Sequence, residues 1–176
     1  ITVTALPFTG LTEARAVSSD FQYEVISESD KTCAITFYTG QATEVEIPSE
    51  LDGYMVTEIQ DTAFQYGGMI TSVTIPSSIT NIASSAFGYL NLYGSPKEIR
   101  VAKENAQYSS KDGVLFNKDQ SELIFYPVGK TGTAYSVPED TVKIADAAFV
   151  NCTTLESIQL PSTVTEIGVA AFGQCV

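Results

Sequence analysis

Four Ala-Phe pairs punctuate the chain, at Ala63-Phe64, Ala86-Phe87, Ala148-Phe149 and Ala171-Phe172; the first two lie 23 residues apart, and so do the last two. A fixed period of that length marks a solenoid, because one such repeat cannot bury its apolar side alone and must stack on the next. Around the pairs four segments align: TEVEIPSELDGYMVTEIQDTAFQY from Thr43, TSVTIPSSITNIASSAFGYL from Thr71, AYSVPEDTVKIADAAFVNC from Ala134 and ESIQLPSTVTEIGVAAFGQC from Glu156. The 62 residues from Phe87 to Phe149 are too many for two periods. A fifth strand, Ile99-Arg100-Val101, fits that interval, in a repeat that has lost its Ala-Phe turn and carries an insertion over about 104–130.

Each part of the repeat has a physical job. Val45-Glu46-Ile47, Val73-Thr74-Ile75 and Ile158-Gln159-Leu160 alternate apolar and polar, as a short strand with one buried face does. Pro48, Pro76, Pro138 and Pro161 have no N–H for a ladder, so the strand stops there. A polar turn and a second apolar pair follow: Ile79 with Ile82, Val142 with Ile144, Val164 with Ile167. Asp61, Ser84 and Asp146 stand two residues before the repeat's Ala, placed to cap one short helical turn, and Val169 breaks that pattern. Ala then allows close approach between coils, and Phe fills the centre.

The predicted fold is α/β: a right-handed solenoid, strand-dominated with short helical turns, carried by residues 21–176 as one domain. Five parallel strands, centred near Glu46, Thr74, Arg100, Ser136 and Gln159, are expected to pair in that order. Phe64, Phe87, Phe149 and Phe172 should stack in one column, with Phe172 less buried because no repeat follows it. Residues 21–40, FQYEVISESDKTCAITFYTG, read as a β-hairpin that covers the first coil's open edge as a cap. Tyr108 to Pro127 read as a second hairpin, projecting from the stack. The sequence stops just after an Ala-Phe turn, which fits either a tolerated open end or a piece of a longer array. Residues 1–20 are an amino-terminal arm or the tail of a secretory signal, since Ala14-Arg15-Ala16 has the small-x-small form of a cleavage site.

Composition removes whole classes of function. Hydrophobic residues make up 44% and charged residues 17%, the reverse of a disordered chain. No apolar run approaches the roughly 18 residues of a membrane span, so direct membrane insertion is not expected. A formal charge of -12 repels phosphate backbones, so no nucleic acid is expected as a partner. The chain has no His, which removes Ser-His-Asp and Cys-His catalysis and every His-metal site. Cys33, Cys152 and Cys175 are too few for a disulfide scaffold.

The strand, its Pro, the Ile/Val pair and then Ala-Phe-x-x-Cys at 23-residue spacing resemble the BspA-type bacterial leucine-rich repeats. The resemblance covers roughly residues 21 to 176 and places Cys152 and Cys175 in the family's Cys slot, with Tyr66 and Tyr89 standing there in the first two repeats. The segment from Phe21 to Ile59 resembles the family's cap and first repeat. The inserted KDGVLFNKDQSELIFYPVGKTG resembles a hairpin recurrent in such proteins. What the resemblance implies is a secreted or surface-attached bacterial protein used in binding or adhesion, to host or bacterial proteins or glycans, with no shared catalytic residues.

The candidate binding face is the concave ladder, where Glu44, Glu46, Ser72, Thr74, Glu98, Arg100, Ser136, Ser157 and Gln159, with Ala134, flank the inward positions. An ordinary solvated sheet face is the alternative. Cys152 and Cys175, one period apart, should have Cα atoms about 5 Å apart, which permits a disulfide; the expectation is instead two reduced neighbours in the buried ladder. Asn117 to Glu122 place oxygens at alternate positions, loosely like a calcium loop, but lack its central Gly, and a hairpin turn is the expected reading. Asn151-Cys152-Thr153 is a glycosylation sequon read as coincidence. Tyr93, Tyr108, Tyr126, Phe116 and Phe125 either form an aromatic contact surface or pack the insertion down. No catalytic, cofactor or metal residue is assigned, and oligomeric state is left open. A binding or adhesion module comes first, a structural spacer second, and a carboxylate-based glycosidase a distant third.

Overall fold

The computed structural model describes residues 16–175. The cleavage reading at Ala14-Arg15 lies outside the described residues. A 3-10 turn, Ser18–Asp20, leads into a hairpin of β1 (Phe21–Ser27) and β2 (Thr32–Tyr38). The repeats then give β3 (Glu44–Glu46), β4 (Glu50–Leu51), β5 (Tyr54–Ile59), β6 (Ser72–Ile75) and β7 (Asn81–Ile82). The helix α1 (Gly88–Tyr93) precedes β8 (Glu98–Val101), β9 (Tyr108–Lys111), β10 (Val114–Asn117) and β11 (Glu122–Phe125). The last coils supply β12 (Ala134–Ser136), β13 (Lys143–Ile144), β14 (Ser157–Gln159) and β15 (Glu166–Ile167).

The strands form two sets of parallel pairings. In the first, the alternating strands meet in register: Val45 opposite Val73 opposite Ile99 across β3, β6 and β8, and Tyr135 opposite Ile158 across β12 and β14. The second is built by the repeat's second apolar pair: Ile59 opposite Ile82, and Leu123 opposite Ile144 opposite Ile167. Strands two residues long carry no alternation, which is why sequence periodicity shows the first set and not the second. The cap pairs with the second set, β2 lying parallel to β5.

Two expectations about the middle of the chain need correction. The first ladder is not five strands in succession, because β3-β6-β8 and β12-β14 are separate sheets. The outer side of β8 is taken by β9 and its turn into β10: Ile99 N donates to Gly113 O at 2.8 Å, and Val101 N to Ser110 Oγ at 3.1 Å. Gly113 has φ +77, and a Cβ there would stand 2.7 Å from Glu98 Cβ, so glycine permits this approach. Nor does the insertion project. β9, β10 and β11 form an antiparallel meander, and β11 joins β13 in parallel. Val114, Leu115, Phe116, Leu123, Phe125 and Tyr126 are buried. Three consecutive apolar residues, Val114 to Phe116, are the pattern of a strand covered on both faces, not of an exposed hairpin.

The repeat's Phe rings stack in two columns, not in the expected single one, and the insertion supplies a ring to each. Centroids step from Phe21 to Tyr38 at 5.1 Å, to Phe64 at 5.9 Å, to Phe87 at 5.3 Å and to Phe125 at 5.7 Å. The second column runs from Tyr126 to Phe149 and from Phe149 to Phe172, each at 5.1 Å. Phe87 and Phe149 therefore belong to separate core clusters, and the adjacent residues Phe125 and Tyr126 contribute one ring to each. Phe172 is half-buried, against the fully buried Phe64 and Phe149. Each buried ring contributes roughly 1.5–3 kcal/mol by area.

The turns differ from expectation too. Residues just before the repeat's Ala, at Thr62, Ala147 and Ala170, have φ +63, +53 and +51, so these segments are left-handed turns and α1 is the one α-helix among the described residues. The acidic residues cap the neighbouring coil, not their own turn. Asp61 Oδ1 accepts from Ser85 N and Oγ at 3.3 and 2.7 Å, and Asp146 Oδ1 accepts from Val169 N at 2.7 Å. Val169, which breaks the acidic pattern, donates to that cap through its backbone N–H.

Candidate functional site

The parallel register places the predicted face in rows. Glu44, Ser72 and Glu98 form one row across β3, β6 and β8; Glu46, Thr74 and Arg100 form the other. Arg100 pairs with Glu98 on its own strand, and its guanidinium lies 3.9 Å from Glu44 on the far strand. Both pairs are half-exposed, so each contributes about 0–1 kcal/mol to stability. Their consequence is positional: the cation is held between two carboxylates. Ser72, only 3% exposed, sits low between longer neighbours and offers nothing to a partner. Ser136, Ser157, Gln159 and Ala134 are exposed on β12 and β14, with Ser136 Oγ 3.4 Å from Gln159. The predicted strip is thus two patches, one acidic around Arg100 and one neutral, with the Asp112-Gly113 turn inserted at the β8 edge. Lys130 donates to the Asp112 carbonyl and ties that turn down.

The other candidates resolve into structural roles. Asn117 Nδ2 donates to Ser121 Oγ and its Oδ1 accepts from Glu122 N, both at 2.9 Å. Asp119 Oδ1 accepts from Ser121 Oγ and N at 2.7 and 3.1 Å, which holds its carboxyl below the ordinary value. Those oxygens are spent on the turn, and among the described residues no three His, Cys, Asp or Glu side chains gather to hold a metal. Asn151 Nδ2 donates to Asn91 O at 2.6 Å. Cys152 and Cys175 are free thiols; burial, with Cys175 nearby, pushes Cys152 up to about 12. Such a thiol is a poor nucleophile near neutral pH. Phe116, Phe125 and Tyr126 pack the insertion into the core, and Tyr108 is half-buried with its hydroxyl accepting from Ile82 N at 2.9 Å.

Two buried amides escaped the sequence reading. Asn91 Nδ2 donates to Tyr126 O and Val150 O at 2.8 and 3.0 Å, and its Oδ1 accepts from Val128 N at 2.9 Å, which ties α1 to the second core. Asn105 Nδ2 donates to Pro76 O and Ile79 O at 2.8 and 2.9 Å, and its Oδ1 accepts from Gln107 N and Tyr108 N at 2.9 and 2.8 Å. Asn105 stands in a polar stretch and Asn91 between two leucines, and neither setting signals a buried amide that bonds to another coil. The Cys slot also needs correction: counted three residues on from each Phe, it holds Gly67 and Leu90, both buried, while Tyr66 is exposed.

The sequence model described as BspA type Leucine rich repeat region matches residues 25–109 and 124–176, in six copies. No curated protein matches the chain. Among solved structures, the pneumococcal vaccine antigen PcpA is similar at 25% identity and TM-score 0.60, over 77% of this chain and 38% of that one. A leucine-rich repeat protein of Eubacterium ventriosum is similar at 20% identity and TM-score 0.53, over 89% of this chain and 62% of that one. Another, from Bacteroides ovatus, shares 19% identity at TM-score 0.53, over 89% of this chain and 44% of that one. The last two likenesses concern the fold alone, and in all three the chain spans less than two thirds of the relative's length. With a strand-dominated solenoid, Phe-centred coils and the family's repeats over most of its length, the chain belongs to the BspA-type leucine-rich repeat family.

Proposed function

We propose that this chain is a binding module of a secreted or cell-surface bacterial protein and that it catalyses no reaction. The observation that carries the reading is the in-register polar face of the first ladder. Glu44, Glu46, Thr74, Glu98 and Arg100 are fixed on one rigid sheet, with Ser136, Ser157 and Gln159 on the next. A rigid array of polar side chains keeps little conformational entropy to lose on binding. The partner class is a host or bacterial surface protein or glycan. The likeness to a pneumococcal vaccine antigen agrees with a surface location.

Against catalysis stand the chemistry and placement of the available groups. There is no imidazole, and Cys33 and Cys152 are held as thiols by burial. Lys143 lies between Glu122 and Glu166, whose carboxylates raise its pKa and keep it protonated.

The test is a panel of purified surface proteins and glycans probed with the full chain and with Glu44→Lys/Arg100→Glu. Reversing these two charges should weaken binding by about tenfold or more at unchanged thermal midpoint. A binder indifferent to the reversal would refute the assignment of the face. Failure to bind any member would favour the spacer reading.

A further inference from the structure

Residues 62–96 contain no Asp, Glu, Lys or Arg, although the whole chain carries 21 acids and nine bases. That uncharged stretch carries four exposed large apolar side chains: Tyr66 at 71%, Tyr93 at 67%, Met69 at 59% and Leu92 at 36%. They form one surface. The Tyr66 ring meets Phe37 edge-on at 5.2 Å, and Tyr89 stacks with Tyr93 at 6.0 Å. Glycines bring the two halves together: a Cβ on Gly68 would stand 2.9 Å from Tyr93 O, and one on Gly94 would stand 3.1 Å from Gly68 O. The turn carrying Tyr66 and Met69 is thereby packed backbone to backbone against the end of α1. Among the described residues, no hydrogen bond engages the hydroxyls of Tyr66, Tyr89 or Tyr93.

We propose that Phe37, Tyr66, Met69, Tyr89, Leu92 and Tyr93 form a second contact surface that docks an uncharged, apolar segment of a partner protein. A charged group at the centre would be buried without a counter-charge, since the stretch offers none. Aromatic rings with Met, and depletion of charge, are the composition of protein interface cores. Tyr66, Tyr93 and Met69 are more than half exposed, and Leu92, Phe37 and Tyr89 add smaller parts, which gives a patch of about 400–600 Å². That is below the roughly 800 Å² per partner of a standard interface, so the patch suits a segment of a partner better than a two-fold contact between copies. This surface is separate from the ladder face of the preceding proposal, and the two stand or fall independently.

The probe is a set of uncharged 15-residue peptides carrying a central pair of Leu, Phe or Tyr, each with a counterpart bearing Lys or Glu at the centre. Binding to the full chain is read by fluorescence anisotropy. Saturable binding of uncharged members is expected, lost in their charged counterparts. Tyr66→Ser/Tyr93→Ser should weaken it by about tenfold or more, and Arg100→Glu should leave it within about twofold, since the sites are distinct. Both tyrosines are exposed, and an unchanged far-ultraviolet spectrum and thermal midpoint check that the variant folds. The proposal is overturned if uncharged peptides bind no better than charged ones, or if the double variant binds as wild type. It is also overturned if wild type dimerises in sedimentation and the variant does not, or if neutral glycans are bound by wild type and released by the variant while no peptide binds.

Discussion

Replacing Asn105 by Ala removes four hydrogen bonds that one fully buried amide makes at once. Two run back to the second coil, at Pro76 and Ile79, and two hold the Gln107 and Tyr108 amides of the insertion. The turn so fixed aims Tyr108 at β7, where its hydroxyl receives Ile82 N. Stranding the buried Ile79 carbonyl costs about 1–3 kcal/mol, and losing each of three half-buried bonds about 0.5–1.5 kcal/mol where water can substitute. The sum, with some relaxation, is about 3–6 kcal/mol, a large part of the 5–15 kcal/mol that holds an ordinary domain. Urea denaturation read by tyrosine fluorescence measures it. The midpoint should fall with the slope unchanged, and Asn105→Ser should recover little because one hydroxyl cannot span four partners. A loss below about 1 kcal/mol for the alanine variant would refute the view that this amide pins the insertion to the stack.

Gly168→Ala should destabilise by about 1–3 kcal/mol, or more if the backbone cannot shift. The new Cβ would stand 2.5 Å from Asp146 N and nearer still to Asp146 Oδ1, where the inter-coil cap is made; a thermal midpoint equal to wild type would show that the coils slide apart freely. Stability should stay level near neutral pH and fall from about pH 9 towards 12. Cys152, raised from 9.0 to about 12, and Tyr126, raised from 10.0 to about 12, stay protonated in the fold and ionise on unfolding, so the unfolded state binds fewer protons there. Urea midpoints across that range check the sign, and a rising midpoint would contradict it. At pH 8, Cys152 should resist iodoacetamide in the folded protein and react only in denaturant, as mass mapping of the labelled peptides would show; ready labelling would contradict its burial.

The sequence made the repeats legible because each carries several coincident marks: alternation, a Pro stop, a second apolar pair and a Phe. The cap hairpin was legible for the same reason, two alternating runs about a polar turn. Where the marks thin out, reading fails in physical terms. β7, β13 and β15 are too short to alternate, so the second ladder is invisible until the coils stack. The insertion looks like an appendage because it lacks Ala-Phe, yet Phe125 and Tyr126 stand in for that pair, one ring in each core. Asp61 and Asp146 read as caps of their own turns, because a sequence cannot say that the capped amide lies a period away. On the candidate face, strand alternation found Glu44 and Arg100, while the burial of Ser72 depends on the length of its cross-strand neighbours.

The insertion is the coil that joins two cores into one solenoid. Amide hydrogen exchange tests that directly at Ile99, Tyr126 and Ala145, whose N–H groups bond to Gly113 O at 2.8 Å, Ala148 O at 2.8 Å and Leu123 O at 2.9 Å. These amides should exchange only through global unfolding, with the same opening free energy as those of β6 and the same response to denaturant. Exchange of Tyr126 and Ala145 through openings several kcal/mol cheaper than those of β6 would mean that the insertion hangs on the stack and that the chain is two solenoids instead of one.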